Sequence, residues 1–350
     1  MPDDGPRMMN LSALRGDAEF NSLRPTRFAD FAGQRQVVDN LSVMIDAARI
    51  RQEPVEHILF SGPPGLGKTT LAHLIANEME TTLVASSGPL MDKPGDLVAI
   101  LSSLGSGQVF FLDEIHRLPR TVEETLYSAM EDYKVDIVTG SGPGARTITL
   151  PLERFTLVGA TTRSGMLSAP LRDRFGGQFH LEFYTPEELA AIVSRATAGM
   201  DLEIDDDARL FLAAHSRGTP RIALRLLRRV RDFVQVSGEV RITAARAREA
   251  LERIGIGKLG LDRMDREILA AIIQRFGGGP VGLETLSAVF HEEKDVLAEV
   301  HEPYMLKLGL LARTPRGRVA TARAYEYLGL AVPQDLPEAP LFDDAGDGPA

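Results

Sequence analysis

The sequence predicts an α/β fold, a parallel sheet covered by helices, followed by a helical segment and a small helix–hairpin domain. Three observations carry that expectation. Short apolar runs at residues 57–60 (HILF), 82–85 (TLVA), 109–112 (VFFL) and 155–160 (FTLVGA) alternate with segments of helical period, the pattern of strands buried on both faces. The first run leads into SGPPGLGKTT, residues 61–70, and then into LAHLIANEM, a glycine-rich turn between strand and helix. Beyond residue 184, helix starts follow one another at Thr185-Pro186, Thr219-Pro220 and Thr243, each a hydroxyl that caps free backbone N–H groups.

Taken in order, residues 1–20 are polar and are expected to be flexible. Apolar residues recur at helical spacing from Gly33 to Arg51. The α/β domain is expected over residues 21–184. Within it, DYKVDIVTGSGPGARTITLPL, 132–152, reads as a β-hairpin with a glycine-proline tip. Thr185 with Glu188 has the spacing of a capping box, with Pro186 in the first helical position. Helices at 186–198, 206–216, 220–236 and 244–254 make a second domain, 185–256. A boundary in GIGKLGLD leads to a third domain, 257–331. There, three helical patterns precede LLARTPRGRVAT, two strand-like runs around a Pro-Arg-Gly turn, the order of a winged helix. Pro303 is expected to kink or break the third of those helices. Residues 332–350 read as an acidic, disordered tail.

Composition narrows the function. The 350 residues are 44% hydrophobic and 25% charged, ordinary for a globular protein. With no cysteine there is no disulfide and no thiolate zinc site. No apolar run is long enough to span a membrane. The start, MPDDGPRMMN, lacks a basic-then-apolar leader, so the expected location is cytoplasmic. A net charge of −10 argues by itself against nucleic acid. The charge is uneven, however. Residues 217–260 hold eleven Arg or Lys against four acids, and residues 333–350 hold five acids and no base.

Gly62 to Thr69 fits the phosphate-loop pattern GxxxxGK[ST] in full. Such glycines let backbone N–H groups turn onto phosphate oxygens at a helix N-terminus. Lys68 is placed to neutralise β- and γ-phosphates, and Thr69 to put its hydroxyl on Mg2+. Asp113 and Glu114 end the VFFL run. Asp113 there can hold the metal's shell, and Glu114 can polarise the attacking water. His116 reads as structural. In GATTR, 159–163, both Thr161 and Thr162 are candidates to reach the γ-phosphate or the water, and both also suit a strand. LRDRFG, 171–176, carries Arg172 and Arg174. By position alone these make a surface salt bridge or a finger reaching a neighbour's nucleotide.

Together the motifs resemble AAA+ ATPases, a large α/β domain followed by a small helical lid. The resemblance narrows further. LRPTRFADFAGQ, GPPGLGKTTLA, LDEIHRL, MEDYKVDI, GATTRSGMLSAPLRDRFG, SRGTPRIALRLLRRVRDF and LARTPRGRVAT, in that order, are similar to the RuvB family, motor ATPases of bacterial Holliday-junction branch migration. The likeness runs from about residue 20 to 330. It implies ATP/ADP and Mg2+ as cofactors. It places Leu23 and Arg24 at the adenine side, and Gly65, Lys68, Thr69 and Thr70 on phosphates and metal. Asp113 and Glu114 form the second nucleotide motif, and Glu131, Asp132 and Tyr133 a further nucleotide-site segment. Thr162 takes the sensor position and Arg174 that of the finger given in trans. Tyr184 and Arg221 complete the site from the lid, with Arg221 reporting γ-phosphate loss as lid motion.

The same resemblance implies a hexameric ring in recombination and DNA repair, including the SOS response. It implies a RuvA-like partner docked on the 132–152 hairpin and a junction resolvase as a further partner. Arg313 and Arg318 match the family's DNA contacts, Arg316 lies between them, and Lys294 stands where the family usually has arginine. Phosphate contacts of this kind bind duplex DNA without regard to sequence. Helix 220–236 is a weaker candidate for DNA. A clamp loader shares the core and lid, but the hairpin insert and the third domain argue against it. A non-hydrolysing DNA-binding switch has no need of Glu114. No aromatic-glycine pore loop of a protein unfoldase follows residue 85.

Overall fold

The computed structural model describes residues 24–139, 146–200 and 202–334. Residues 1–20, expected to be flexible, the tip of the insert and most of the acidic tail lie outside the described residues. The chain divides into two compact units: residues up to Asp201 together with Thr219–Arg221, and residues Leu202–Gly218 together with those from Ile222 on.

The first unit is built on five parallel strands. α1 (Arg35–Arg51) precedes β1 (Ile58–Ser61). The phosphate loop then leads into α2 (Lys68–Glu78), β2 (Leu83–Ser87), α3 (Pro94–Leu101) and β3 (Val109–Asp113). After α4 (Arg120–Asp132) come β4 (Lys134–Thr139) and β5 (Arg146–Pro151), then β6 (Thr156–Thr161), α5 (Ala169–Arg172), β7 (Gly177–His180) and α6 (Pro186–Gly199). The sheet order is β2-β3-β6-β1-β7. All its pairings are parallel. The interiors of the three central strands, β1, β3 and β6, are buried, as a sheet covered on both faces requires: Phe60, Phe110, Leu112 and Leu157 have no exposed surface. Each such side chain contributes about 1.5–3 kcal/mol.

The four strands expected from apolar runs are present, each within two residues at its ends. β7, GQFH, was not expected, because a short edge strand with one apolar residue gives no run. β4 and β5 pair antiparallel from Lys134↔Pro151 to Thr139↔Arg146 and form a sheet of their own. The root of this hairpin is fixed: Val135 is buried, and Tyr133 packs edge-on against Phe155. Farther out, Ile148 stands 55% exposed. The expected capping box forms, with Glu188 N–H donating to Thr185 Oγ1 (3.3 Å) and Thr185 N–H to Glu188 Oε2 (2.9 Å).

The second unit holds α7 (Asp206–Ala214), most of α8 (Pro220–Val236) and α9 (Ala244–Arg253), with a two-residue parallel pair, β8 (Glu203–Ile204) and β9 (Arg241–Ile242). α8 is strongly amphipathic: Ala223, Leu226, Leu227, Val230 and Val234 are buried. The same unit continues with α10 (Arg263–Gln274), α11 (Leu283–Phe290) and α12 (Lys294–Val296). A π-helical turn (Leu297–His301) then leads into α13 (Glu302–Lys307). An antiparallel hairpin, β10 (Leu311–Thr314) and β11 (Gly317–Ala320), and α14 (Ala322–Tyr327) close it. Pro303 does not break its helix. It falls in the first turn of α13, directly after the π-turn. The widened turn accommodates a residue that has no N–H to give. Among the described residues no helix is long and apolar enough to cross a membrane.

Candidate nucleotide and nucleic-acid sites

The carboxyl ends of β1, β6 and β3 lie side by side, and the expected phosphate-site residues gather there. Parallel register fixes their heights: Ser61 is level with Thr161, and Leu59, Gly159 and Leu112 form one row below. Ligands of open α/β sheets bind at this edge. The loop leaves β1 tightly, with Gly62 N–H donating to the Thr161 carbonyl (3.2 Å). Gly62 (φ +131°) and Gly65 (φ +82°) take conformations that disfavour side chains. A Cβ at Gly62 would stand 2.5 Å from the Leu181 carbonyl oxygen. Lys68 is buried at the start of α2, and its ammonium donates to the carbonyls of Gly62 (2.7 Å) and Pro63 (2.9 Å). Thr69 and Thr70 follow it, half-buried. The backbone therefore curls around a fixed cation at a helix N-terminus, which suits a polyphosphate.

Residues from the flanks pin that loop. The Tyr184 hydroxyl donates to the Leu66 carbonyl (3.0 Å), and burial, with Glu188 beside it, raises its pKa well above the usual phenol range. Gly33 lies beneath the same ring, where a Cβ would meet the ring at 2.5 Å. A Cβ at Gly67 would meet Phe31 at 3.3 Å, so an aromatic face borders the loop. Phe31 and Gln34 belong to the FADFAGQ stretch, yet no spacing rule singles them out. Arg24 lies near His73 of α2, whose pKa is lowered by burial and then by that guanidinium. Leu23 is outside the described residues. Arg221, the second residue of α8, donates its backbone N–H to Gly65 (3.4 Å), and its Cβ lies 3.1 Å from where a Gly65 Cβ would be.

Asp113 ends β3, and Glu114 follows in the left-handed region (φ 49°), its N–H donating to Asp113 Oδ1 (2.9 Å). Arg117 pairs with Glu114 at 3.3 Å. The two threonine candidates separate. Thr161 is buried and holds His116 Nδ1 (3.0 Å) and the N–H of Arg163 (3.0 Å), so it and His116 shape the turn. Thr162, just past the strand, is half-buried.

The remaining expected residues are elsewhere. Arg174 precedes β7, whose Gly177 pairs with Ile58 at the start of β1. Met130 accepts from His57, directly before β1, at 3.1 Å. Arg174, Glu131, Asp132 and Tyr133 thus occupy the amino-terminal edge, a strand length of ~13 Å away from the phosphate loop. The family resemblance gives Glu131, Asp132 and Tyr133 to the nucleotide and Arg174 to a neighbour's; within one chain all four stand apart from the phosphate loop. Arg174 donates to Glu131 Oε2 (2.8 Å) and to the Pro170 carbonyl (2.7 Å), and its guanidinium stacks 4.8 Å from the Tyr127 ring centre. Tyr127 donates to Glu123 (2.6 Å) and meets Ser168 at 2.8 Å. The i, i+4, i+8 spacing of Glu123, Tyr127 and Glu131 was a signal that could have shown this cradle.

In the second unit, Arg313 and Arg318 are directly opposed on β10 and β11. Both grip Glu302: Arg313 Nε and Arg318 Nε donate to Oε1 (2.8 Å each) and Arg318 Nη2 to Oε2 (3.0 Å). Burial pushes the Glu302 carboxyl upward, but the two guanidiniums outweigh it and leave the pKa below the usual range. Arg318 is 19% exposed at its side chain and Arg313 54%. Arg316, at the turn, is exposed. Lys294 is exposed and pairs with Glu284.

Three family descriptions match the chain in succession: the Holliday junction DNA helicase RuvB P-loop domain over residues 23–181, the RuvB AAA lid domain over 184–257 and the RuvB C-terminal winged helix domain over 258–329. The Holliday junction branch migration complex subunit RuvB of Kosmotoga olearia is 53% identical over 326 residues, 93% of this chain and 95% of that protein. The chain belongs to the RuvB family. Its counterpart in Chlorobaculum tepidum is 54% identical over 97% of this chain and 98% of that one. The solved Thermotoga maritima RuvB Holliday junction branch migration motor superposes with a TM-score of 0.83 at 50% identity, covering 89% of this chain and 99% of that one. As a RuvB-family member the chain is an AAA+ ATPase of the helicase type, and it binds nucleotide at its P-loop domain.

Proposed function

We infer that this chain is an ATP-driven motor that translocates duplex DNA and so drives branch migration of Holliday junctions, with a RuvA-like junction-binding partner. One observation carries the reading. Lys68, Thr69, Asp113, Glu114 and Thr162 gather at one sheet edge, and the same chain carries a hairpin bearing three arginines. A nucleotide switch has no use for the first, and a clamp loader none for the second.

At the carboxyl edge, Lys68 neutralises the β- and γ-phosphates. Thr69 and Asp113 would hold Mg2+, which would supply neutralisation of phosphate charge there. Glu114 takes the proton of the attacking water, and Thr162 orients that water. Leu23 and Arg24 take the adenine side, and Tyr184 completes the site from the lid. Arg174 serves the nucleotide of the next subunit. Its place on the far edge is what an arginine supplied in trans requires, and Glu131, Asp132 and Tyr133 accompany it. A ring, hexameric when working, brings the two edges together. Arg221, with its backbone on Gly65, registers the state of the γ-phosphate.

Arg316 and Lys294 contact DNA phosphates from exposed positions. Arg313 adds its outer face, and Arg318 chiefly fixes the wing. The exposed face around Ile148 on the 132–152 hairpin is the docking place for the partner. The reading places the protein in recombination and DNA repair in the cytoplasm. The deciding experiment follows a synthetic mobile four-way junction with ATP, Mg2+ and the partner. Junctions separated into duplexes by the wild type, and not by Lys68→Ala, bear the reading out. Intact junctions despite brisk ATP hydrolysis and bound partner overturn it.

A further inference from the structure

Arg217 stands four positions before Arg221 in RGTPR. It is 3% exposed and sits in the left-handed region, φ 54°, an uncommon place for a residue with a side chain. Its guanidinium reaches into the start of α10. Nη1 lies 3.2 Å from Asp262 Oδ2 and 3.1 Å from Asp265 Oδ2, and Nη2 lies 3.2 Å from Asp265 Oδ1. Nη2 also donates to the Val300 carbonyl (3.1 Å) in the π-turn, and the Tyr304 ring centre lies 5.4 Å away.

The acceptors are themselves fixed. Asp265 has no exposed surface. Asp262 and Asp265 cap α10 reciprocally, at 2.9 and 3.0 Å, and His301 Nδ1 meets Asp265 Oδ1 at 2.7 Å. Asp262, Asp265 and His301 have the closeness of a metal site, with ligand atoms within 4.8 Å of one another. The guanidinium already supplies the cation there. A buried fork of this kind is directional, and breaking it leaves charge uncompensated.

The chain runs from this anchor through Gly218 into Thr219–Arg221, the three residues that belong to the nucleotide-binding unit, and then returns. Arg217 and Arg221 are separated by no more than ~14 Å of chain. A shift of Arg221 therefore pulls on Arg217, and Arg217 cannot follow without carrying α10 and the π-turn or tearing a buried ion pair.

We propose that Arg217, held by Asp262, Asp265 and the Val300 carbonyl, is the positioning joint that ties the nucleotide-sensing segment Thr219–Arg221 to the DNA-binding domain, so that ATP turnover becomes DNA movement. This rests on the motor reading above. Arg217 acts through Arg221 and touches neither nucleotide nor DNA.

The test uses the full chain with its partner and reads four quantities: melting temperature, kcat and KM for ATP, duplex binding, and junctions separated per ATP hydrolysed. Two variants are compared with wild type. Arg217→Lys keeps the charge and loses the fork. The pair Arg217→Met with Asp265→Asn removes both charges at similar volume, a replacement of the kind that buried ion pairs tolerate. In both, KM and duplex binding stay at wild-type values while junctions separated per ATP fall by about tenfold, the size of a typical coupling between sites. An unchanged ratio of junctions to ATP in a folded variant, whatever its melting temperature, makes Arg217 a structural staple and overturns the joint alone. Wild-type protein that hydrolyses ATP and leaves junctions intact overturns the motor reading, and the joint with it.

Discussion

Glu114 holds a left-handed backbone (φ 49°) in the turn that ends β3, beside the Asp113 carboxylate that accepts its N–H. The Glu114 carboxylate pairs with Arg117 at 3.3 Å. Glu114→Gln is expected to bind ATP with unchanged affinity and to lose turnover by about 10²–10⁴-fold. Equilibrium binding of labelled ATP alongside steady-state hydrolysis checks both halves, and undiminished hydrolysis would remove Glu114 from its role. His57 illustrates a different kind of residue. Its Nδ1 accepts from Leu157 N–H (2.9 Å) and its Nε2 faces the Met130 carbonyl, which requires the neutral ring. Burial lowers its pKa below the ordinary 6.5, partly offset by that carbonyl. The unfolded chain therefore binds more protons below that value. The resulting stability is full above pH 6.5 and is lost as pH falls toward the folded value. Melting temperature should drop more steeply between pH values of about 7.5 and 5.5 in wild type than in His57→Gln, whose amide offers an acceptor and a donor but does not titrate. Equal slopes would show that other groups govern the acid limb, His73 being the first to examine.

The wing hairpin shows how an element redistributes roles that look alike in sequence. Four arginines fall in residues 313–323 with no acid among them. Folding brings Glu302 from α13 under two of them. Arg316 remains outward at the turn. Arg316→Ala should weaken duplex binding evenly across sequences and reduce the salt slope by about 1, with no change in melting. Arg318→Ala should instead cost about 1.5–3 kcal/mol of stability, because a buried carboxylate loses its two-pronged partner. Salt-titrated DNA binding and thermal unfolding of the two variants decide this, and identical behaviour of the pair would contradict it. Elements with strong local signals were legible: the Thr185 capping box, the amphipathic 220–236 helix and the 132–152 hairpin all follow from spacing or turn chemistry. β7 and the π-turn before Pro303 were not. One is too short to show a period, and the other is a tertiary accommodation of proline.

At the scale of the whole molecule, the two edges of the sheet define what one chain can do alone. The phosphate loop is on one edge and Arg174 on the other. In the single chain Arg174 is held by Glu131 and lies over Tyr127. Lys68→Ala and Arg174→Ala chains should each be inactive alone as ATPases. Mixed, they should regain hydrolysis, since an intact finger then meets an intact loop at some subunit boundaries. Absence of recovery in mixed assemblies, verified by co-purification, would place Arg174 in its own chain's site.

By itself, the sequence determined the chemistry and the order of parts. A phosphate loop, an acidic strand end, a hydroxyl-bearing strand end and an arginine hairpin are local patterns, written in residues a few positions apart. Their spacing also settled the parallel α/β core, because buried strands and amphipathic helices are legible as periods. Only the tertiary structure decided which residues face one another across long separations. Glu302 beneath Arg313 and Arg318, Asp265 beneath Arg217, and Arg174 on the edge opposite Lys68 come from strand order and helix packing. The physical reason is that hydrogen-bonded register and burial bring together side chains whose pairing leaves no trace in local spacing.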